Sequence, residues 1–396
     1  MFLILRIWDS LYHTAPLREN LQRLFGPERN LFSAAERPVR VAVVSSKDSG
    51  ADKCLITNYN RPLLGADIDF EREDESDKEM KVWEAALATS AAPFYFSKFE
   101  KPETKKDYTD GALHANFPVP YTLEEIASVW GRPDGERAPL DILVSLGTGI
   151  QKREIKIPLA LRIGGFEAVC TSFHNNLDCE GKWREFERGR ARDGDIRGKV
   201  HRLNAHISGS YVSLDDYKRM AGIEVGIVKE LKEPEAAMKL ESIADALVAN
   251  LFFFEPAMRA KEAVSPSSQQ QYLPGSIRCR LARDSSNLKA LVDVIESFWY
   301  MEFRGAPATL SPPSRSRWAP IPFTAQQRHG VKSQGKWLRV DCTITPIETD
   351  GVQQVLAVSL RRNNIPGREL PLLTMPIPIS GFPISFQSLK RKAHGQ

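Results

Sequence analysis

The 396-residue sequence has no long apolar run and almost no excess of charge of either sign. No segment approaches the roughly 20 consecutive apolar residues that a membrane-spanning helix needs, so we expect a protein that is soluble or at most peripheral to membranes. The formal net charge of +4 is small for this length, which argues against nucleic acid as a partner.

Cysteine is scarce, and its use indicates a reducing compartment. The number of cysteines is odd and their spacing is wide, which is untypical of a disulfide scaffold. We therefore expect a cytoplasmic location, with peripheral membrane contact as an open alternative. The five cysteines are Cys54, Cys170, Cys179, Cys279 and Cys342.

The start of the chain lacks the features of a signal peptide. Residues 1–8 are apolar but few, Arg6 interrupts them, and neither a basic stretch before them nor a small-residue cleavage site after them is present. We therefore predict a helix there. Leu3, Ile7 and Leu11, and then Leu17, Leu21 and Leu24, recur at near-helical spacing, which predicts one or two amphipathic helices with Pro16 between them.

Strand and helix patterns alternate along the first part of the chain. The β-branched run at 38–44 indicates a buried strand of a parallel sheet, and Leu140–Leu146 indicates another. Lys81–Ser90 has a small apolar face at helical spacing. This alternation is typical of a three-layer α/β domain. Further helices are predicted over Tyr121–Trp130 with Thr122 as N-cap, within 158–190, and over Leu214–Leu231 and Ala236–Leu251.

The pattern changes after a segment rich in Ser, Gln and Pro at 258–275, which we predict to be a linker. Beyond it, apolar and charged residues alternate at 277–281 and 338–344, as in half-buried strands, and Asn287–Tyr300 has a helical pattern. The predicted parts are a partial α/β domain at 1–150, a helical extension at 151–257, the linker at 258–275 and a small β-rich module at 276–396.

Three motifs follow one another in the first part of the chain. Trp83 to Pro93 reads W-E-A-A-L-A-T-S-A-A-P, Tyr108 to Ala112 reads Y-T-D-G-A, and Ser145 to Gly149 reads S-L-G-T-G. In this order and spacing they resemble the patatin-like phospholipase family, most closely its fungal members. The resemblance covers about residues 1–255.

The resemblance implies a patatin-like α/β fold and hydrolysis of phospholipids or other acyl-ester lipids, as in phospholipases A. A serine hydroxyl is a weak nucleophile until a base takes its proton, and this family uses an aspartate that contacts the serine directly. Asp110 would be that general base, and Gly111 and Ala112 would shape its loop. No metal and no cofactor is implied, and the oligomeric state is left open.

The sequence departs from the family at the nucleophile. It contains no G-x-S-x-G pentapeptide, in which the serine of such enzymes lies on a strained turn, and no G-G-G-x-R-G-like oxyanion loop. Both belong to the N-terminal part of the family domain. We therefore expect a chain truncated at its N-terminus (a fragment, a partial gene model or a pseudoenzyme), inactive as given, with an unpaired sheet edge that promotes association. The serines Ser45, Ser46, Ser145, Ser208 and Ser210 lack the elbow context.

Weaker signals have simpler interpretations. Gly147-Thr148-Gly149 is too short for a phosphate loop and indicates a turn. Cys170, His174 and Cys179 lack a fourth zinc ligand. In N-F-P at 116–118, Phe117 departs from the N-N-P of the family.

Two other functions stay open. One is a non-catalytic regulatory or interaction protein on a patatin scaffold. The other is a module that binds lipid surfaces through the basic stretch 151–203, although glutamates dilute the charge of that stretch and favour a solvated face.

Overall fold

A computed structural model describes most of the chain, and the chain forms two compact units. Unit 1 comprises Met1–Ala138 and Lys152–Arg192, and unit 2 comprises Pro139–Gln151 and Asp193–Gln396. The residues described are 10–32, 39–48, 52–60, 69–71, 78–93, 95–130, 140–151, 178–190, 199–209, 212, 216–257, 263–264, 271–283, 285–307, 319–321, 324–336, 338–344, 354–362, 377–378, 380 and 384–385.

Unit 1 is built on a five-stranded sheet in the order β3-β2-β1-β5-β4, in which only the β2–β3 pair is parallel. Its described elements are α1 (Thr14–Phe25), β1 (Ala42–Lys47), β2 (Asp52–Thr57), β3 (Asp69–Glu71), α2 (Val82–Ser90), β4 (Phe99–Lys101), β5 (Lys106–Asp110), α3 (Ala112–Ala115), α4 (Val119–Trp130) and α5 (Cys179–Arg190).

The prediction of a parallel strand at 38–44 was wrong in direction and in extent. The strand is β1, and it runs antiparallel to both neighbours, with Ser45 opposite Cys54 on one side and Asp110 on the other. A β-branched run favours a strand but does not encode its direction. The connection from β1 to β2 has only four residues, which suits a hairpin, whereas a parallel pair needs a long crossover.

Helices cover both faces of this sheet. On one face α1 and α2 pack against alternate residues of β2, Cys54 and Ile56, in a core that includes Trp83 and Leu87. The intervening residues of β2 point to the other face, where the Lys53 ammonium lies 4.9 Å from the Tyr121 ring of α4. Unit 1 is therefore a three-layer α/β fold.

A buried ion pair lies at the start of α2. The Lys101 ammonium is 3.1 Å from the Glu84 carboxylate and 3.2 Å from that of Glu103, and the side chains of Lys101 and Glu84 are almost fully buried. The Glu84 carboxylate also accepts a hydrogen bond from the Lys81 backbone N–H at 2.8 Å, which caps the helix. Glu84 thereby joins β4 to the first turn of α2.

Unit 2 contains a parallel pair, β6–β7, and two larger sheets in the orders β13-β10-β8 and β12-β11-β14-β15, with β9 on β10 and β16 on β14. Its described elements are β6 (Leu143–Leu146), β7 (Val200–Leu203), a 3-10 turn (Tyr217–Arg219), α6 (Met220–Glu230), α7 (Pro234–Asn250), β8 (Phe252–Pro256), β9 (Ala263–Val264), β10 (Gln271–Cys279), α8 (Ser286–Phe298), β11 (Trp299–Pro307), β12 (Ala319–Ile321), α9 (Ala325–Gln334), β13 (Arg339–Ile344), β14 (Gln354–Arg362), β15 (Ile377–Pro378) and β16 (Ile384–Ser385).

β10 begins inside the segment that the sequence predicts to be a linker. Gln271 and Tyr272 pair with Val264 and Ala263, so strand structure occupies part of 258–275. Leu273 of this segment is buried, so its proline- and serine-rich composition hides a strand that an apolar side chain and backbone hydrogen bonds hold in place.

The predicted helices at 81–90, 236–251 and 287–300 are confirmed within two residues at each end. α4 begins at Val119, so Thr122 is not its N-cap; its hydroxyl instead donates to the carbonyl of Pro118, the residue before the helix, at 3.0 Å. Residues 1–9, where the first helix is predicted, the stretch 152–177 and the residues Cys170 and His174 lie outside the described residues.

Among the described residues, no helix combines the length and the apolarity that crossing a bilayer requires.

Candidate functional site

Asp110 is the last residue of β5, and its backbone is held from two sides. Its N–H donates to the Ala91 carbonyl at 3.0 Å, just after the end of α2. Its carbonyl lies 3.3 Å from the Ser46 hydroxyl of β1, which donates to it. The strand end is therefore fixed against both the neighbouring strand and the covering helix.

The Asp110 carboxylate is half-buried and has no ion-pair partner among the described residues. Its Oδ1 accepts a hydrogen bond from the Ala112 backbone N–H at 2.8 Å. Burial raises the pKa of the Asp110 carboxyl above its ordinary value, and the hydrogen bond from Ala112 offsets part of that rise. A carboxylate with raised proton affinity suits a general base.

Only glycine fits at position 111, because the backbone of β1 lies too close for a side chain. A Cβ at this position would lie 2.3 Å from the Val44 carbonyl oxygen of β1, a backbone atom that cannot move aside. Gly111 has ordinary right-handed backbone angles, so the reason for glycine is steric. The short helix α3 starts directly after it. The D-G-A motif thus combines a strand end, a close backbone approach and a backbone N–H donor.

Buried hydroxyls connect β1 to the same region. The Ser45 hydroxyl donates to the Thr109 carbonyl at 2.7 Å and lies 3.3 Å from the Ala88 carbonyl. The Thr89 hydroxyl donates to the Val44 carbonyl at 2.6 Å. Ser45 and Ser46 lie within the strand and not after it, and both donate to main-chain carbonyls. Their role is to fasten β1, α2 and β5 together.

Phe117 has a packing role that explains its departure from the family pattern. It is buried, and its ring lies 6.3 Å from Trp183 and 6.2 Å from Phe186 in edge-to-face geometry, both rings belonging to α5. Asn116 contacts the same helix, because its side-chain amide donates to the Cys179 sulfur at 3.2 Å. The segment after α3 is therefore anchored by an aromatic cluster.

The S-L-G-T-G motif lies in unit 2 and is not the turn that the sequence predicts: Ser145 and Leu146 end β6, Thr148 lies in a bend, and parallel pairing resumes at Ile150 opposite His206. The Ser145 hydroxyl is buried and accepts a hydrogen bond from the Arg202 guanidinium at 2.9 Å. The Gly149 backbone N–H donates to the Asn204 side chain at 2.7 Å, and Gly149 has a φ of 109° that favours glycine. These contacts join the end of β6 to the end of β7.

Two of the three candidate metal ligands, Cys170 and His174, lie outside the described residues. Among the described residues, no group of three or more His, Cys, Asp or Glu side chains is placed to hold an ion. Cys179 of the predicted set contacts Asn116 instead. The sequence also missed the hydroxyls of Ser45 and Thr89, since their partners are backbone carbonyls of distant residues.

Two family models match the chain. Residues 2–123 match "Patatin-like phospholipase", and residues 272–394 match a domain of unknown function (DUF8392). The second match falls within the β-rich part of unit 2, and its description assigns no activity.

Several phospholipases are similar to the chain. Phospholipase A I of Arabidopsis thaliana is 34% identical over 91 residues, which is 23% of this chain and 6% of that protein. The cGAMP-activated phospholipase of Escherichia coli (strain TW11681) is 33% identical over 116 residues, 29% of each protein. The mouse 85/88 kDa calcium-independent phospholipase A2 is 29% identical over 149 residues, 35% of this chain and 18% of that protein.

The aligned stretches cover less than a third of each of these three relatives. Like the family model, these relatives are phospholipases. The matched residues also have the mixed α/β architecture described above. With its three-layer fold and its D-G-A strand end, the N-terminal part of this chain is similar to patatin-like phospholipases, whose family model matches residues 2–123.

Proposed function

We propose that Asp110 is the general base of a Ser–Asp dyad that hydrolyses acyl esters of phospholipids or related lipids. The observation that carries the proposal is the state of its carboxylate: fixed at a strand end by the Ala112 N–H, half-buried, with a raised pKa and no ion pair among the described residues. The names of the relatives, all phospholipases, support a lipid substrate.

In the proposed reaction, Asp110 takes the proton of a serine hydroxyl as the serine oxygen attacks the ester carbonyl carbon. The alcohol part of the lipid leaves with that proton, and an acyl-serine remains. Water then attacks the acyl-serine, Asp110 takes a proton from the water, and the fatty acid is released with the serine hydroxyl restored. Gly111 and Ala112 shape the loop that holds the carboxylate. The reaction requires no metal and no cofactor.

The 396 residues include no G-x-S-x-G motif, so we propose that the chain as given does not hydrolyse lipids by itself. Ser45 and Ser46 are poor substitutes because their hydroxyls donate to backbone carbonyls inside the sheet. Absence of the motif equally supports a second candidate, a non-catalytic interaction protein that keeps the patatin scaffold.

The test compares the 396-residue chain with the product of the complete transcript. Each is assayed for phospholipid hydrolysis and for covalent labelling by a fluorophosphonate, which marks activated serines. We expect no labelling of the 396-residue chain, and hydrolysis by the complete product that Asp110→Asn abolishes. Asp107→Asn is the matched control, because Asp107 lies on the same strand and forms an exposed pair with Lys98.

The outcomes separate the two candidates. A transcript that begins at the Met1 codon, with a stably folded and unlabelled product, favours the interaction protein. Hydrolysis that survives Asp110→Asn in the complete product would refute the role of Asp110.

We also propose that the protein acts in the cytoplasm and contacts membranes peripherally. The odd number and wide spacing of the cysteines in the sequence support a reducing compartment. Fractionation of cells under low and high salt tests both statements, because a peripheral protein moves from the membrane pellet to the supernatant as salt rises.

A further inference from the structure

The 3-10 turn and helix α6 of unit 2 present large apolar side chains to solvent. Tyr217 is 73% exposed, Met220 66%, Val225 71% and Val228 48%. Single exposed apolar residues are ordinary on protein surfaces, but Val225 and Val228 lie about one helical turn apart and form an apolar strip on α6, and a patch of exposed apolar residues marks an interaction site. We call the segment Tyr217–Lys232 the α6 surface.

Helical geometry places this strip opposite the side that α6 turns toward the protein. At 100° per residue, Val225 and Val228 project from one half of the helix, whereas the half-buried Ile223 and Ile227 project from the other. The outward half is the one on which a surface helix normally carries polar residues.

Among the described residues, the side of α6 next to Val225 is open. A Cβ built on Gly222 or Gly226 would have no heavy atom of another described residue within 4 Å, apart from the neighbours of the glycine and the backbone of its own helix. An uncovered apolar helix that keeps two glycines in its interior is costly to maintain in water, since each glycine destabilises a helix by roughly 1 kcal/mol relative to alanine.

The charges of the α6 surface indicate what would cover it. Its basic residues outnumber its acidic ones by four to two: Lys218, Arg219, Lys229 and Lys232 against Glu224 and Glu230. Glu230 is also turned back toward the protein, because its two carboxylate oxygens lie 2.9 and 2.8 Å from the His206 backbone N–H that donates to them. Glu233, which follows the surface, is exposed. The outward charge within the surface is therefore mainly positive.

We propose that the α6 surface docks the protein onto anionic lipid bilayers. Its apolar side chains enter the boundary between headgroups and acyl chains, Tyr217 lies at the headgroup level, and the lysines contact lipid phosphates and carboxylates. The proposal rests on the lipid substrate of the proposed function, and it assigns the membrane contact to residues 217–232, whereas the sequence pointed to the basic stretch 151–203.

The experiment is co-sedimentation of the full chain with vesicles of phosphatidylcholine with and without phosphatidylserine. We expect binding that needs phosphatidylserine, weakens as salt rises, and falls at least about tenfold in the Tyr217→Ser/Val225→Ser variant. Lys229→Gln/Lys232→Gln should lower binding about fivefold for each lysine at low salt. Leu24→Ser, at a helix position of unit 1 that is 72% exposed, is the matched control and should bind like the unchanged chain.

A second measurement reads the contact directly. The chain with Val225→Trp should show a blue shift of Trp emission and quenching by brominated acyl chains when vesicles are added, while the chain with Leu24→Trp should show neither. Far-UV circular dichroism of each variant establishes that it is folded, so that loss of binding is not loss of structure.

Three results would overturn the proposal. One is unchanged vesicle binding by Tyr217→Ser/Val225→Ser, and another is equal binding to vesicles of phosphatidylcholine alone. The third is a change from dimer to monomer in the same variant without a change in vesicle binding, which would assign the surface to a second copy of the chain. Hydrolysis of a dispersed short-chain ester by the complete product is measured separately: its loss in Asp110→Asn tests the proposed function and leaves vesicle binding unaffected.

Discussion

Two carboxylates of unit 1 are withdrawn from solvent in different ways. Glu84 is buried with a lysine and a backbone N–H as partners, whereas Asp110 is half-buried with one backbone N–H and no cation among the described residues. A paired buried charge is held in one state and contributes structure, while an unpaired one gains proton affinity. The same unit therefore contains a paired and an unpaired carboxylate 26 positions apart, and the unpaired one is our proposed general base.

The largest expected effect on stability comes from removing one partner of the buried Glu84–Lys101 ion pair. Lys101→Met leaves the Glu84 carboxylate buried without its cation, and we expect a loss of about 3–5 kcal/mol in the free energy of unfolding. Urea denaturation measures it. Lys98→Met, at an exposed pair on the same hairpin, is the control and should change stability little. The double variant Glu84→Gln/Lys101→Met should recover much of the loss, and a double variant no better than the single one would contradict the explanation.

Gly111→Ala tests the close contact between Gly111, which follows Asp110, and the backbone of Val44. The added methyl group would lie 2.3 Å from the Val44 carbonyl oxygen, so β1 or β5 must shift, at a cost of about 1–3 kcal/mol. Gly226→Ala, where the added methyl meets nothing within 4 Å, should instead stabilise by roughly 0.5–1 kcal/mol. Thermal unfolding of both variants gives the comparison, and equal effects would show that the contact with Val44 is unimportant.

Ser45→Ala separates a structural hydroxyl from a nucleophile. Loss of its hydrogen bond to Thr109 should lower the free energy of unfolding by about 1 kcal/mol. Fluorophosphonate labelling should be the same before and after the substitution. If labelling were present and then disappeared, Ser45 would be the nucleophile and the structural explanation would be wrong.

The smallest effect concerns the pH dependence of stability at Asp110. Because its pKa is raised on folding, the folded chain binds the proton more tightly than the unfolded chain, so stability is greatest below the ordinary aspartate pKa of about 4 and falls as pH rises through the folded pKa. Asp110→Asn should therefore have the higher Tm at pH 7, and this difference should disappear at acidic pH.

Asp341→Asn provides a control of opposite sign. A hydrogen bond from Arg339 lowers the pKa of the Asp341 carboxyl, so its contribution to stability is present at neutral pH and is lost on acidification. The variant should have a slightly lower Tm than the unchanged chain at pH 7. Tm differences of the same sign for Asp110→Asn and Asp341→Asn at pH 7 would refute the distinction between the two carboxylates.

Local sequence patterns predicted the elements around Asp110 better than their pairing. The helix at 82–90 follows from spacing. The D-G pair indicated a turn, whereas the strand Lys106–Asp110 that ends there was not predicted. The antiparallel direction of β1 does not follow from the sequence either, because apolar alternation is the same in either direction. The ion pair of Glu84 and Lys101 depends on a contact across 17 positions, which periodicity cannot specify.

Contacts between residues distant in the sequence explain features that the sequence alone could not. Phe117 stands out in the sequence as a misfit in an expected loop, and only the rings of Trp183 and Phe186 reveal what it contacts. The exposure of Val225 and Val228 was equally hidden, since helical spacing alone does not tell which half of a helix faces the protein.

β10 is the central strand between β8 and β13, although the match to the domain of unknown function begins only at residue 272. Residues 275–279 of β10 pair with 252–256 of β8, so cutting the gene at that boundary would strip the strand of one hydrogen-bonded neighbour. The severed piece would present an open backbone edge to its own copies, a template for sheet extension. A fragment that starts before Phe252 retains β8, which pairs with that edge of β10.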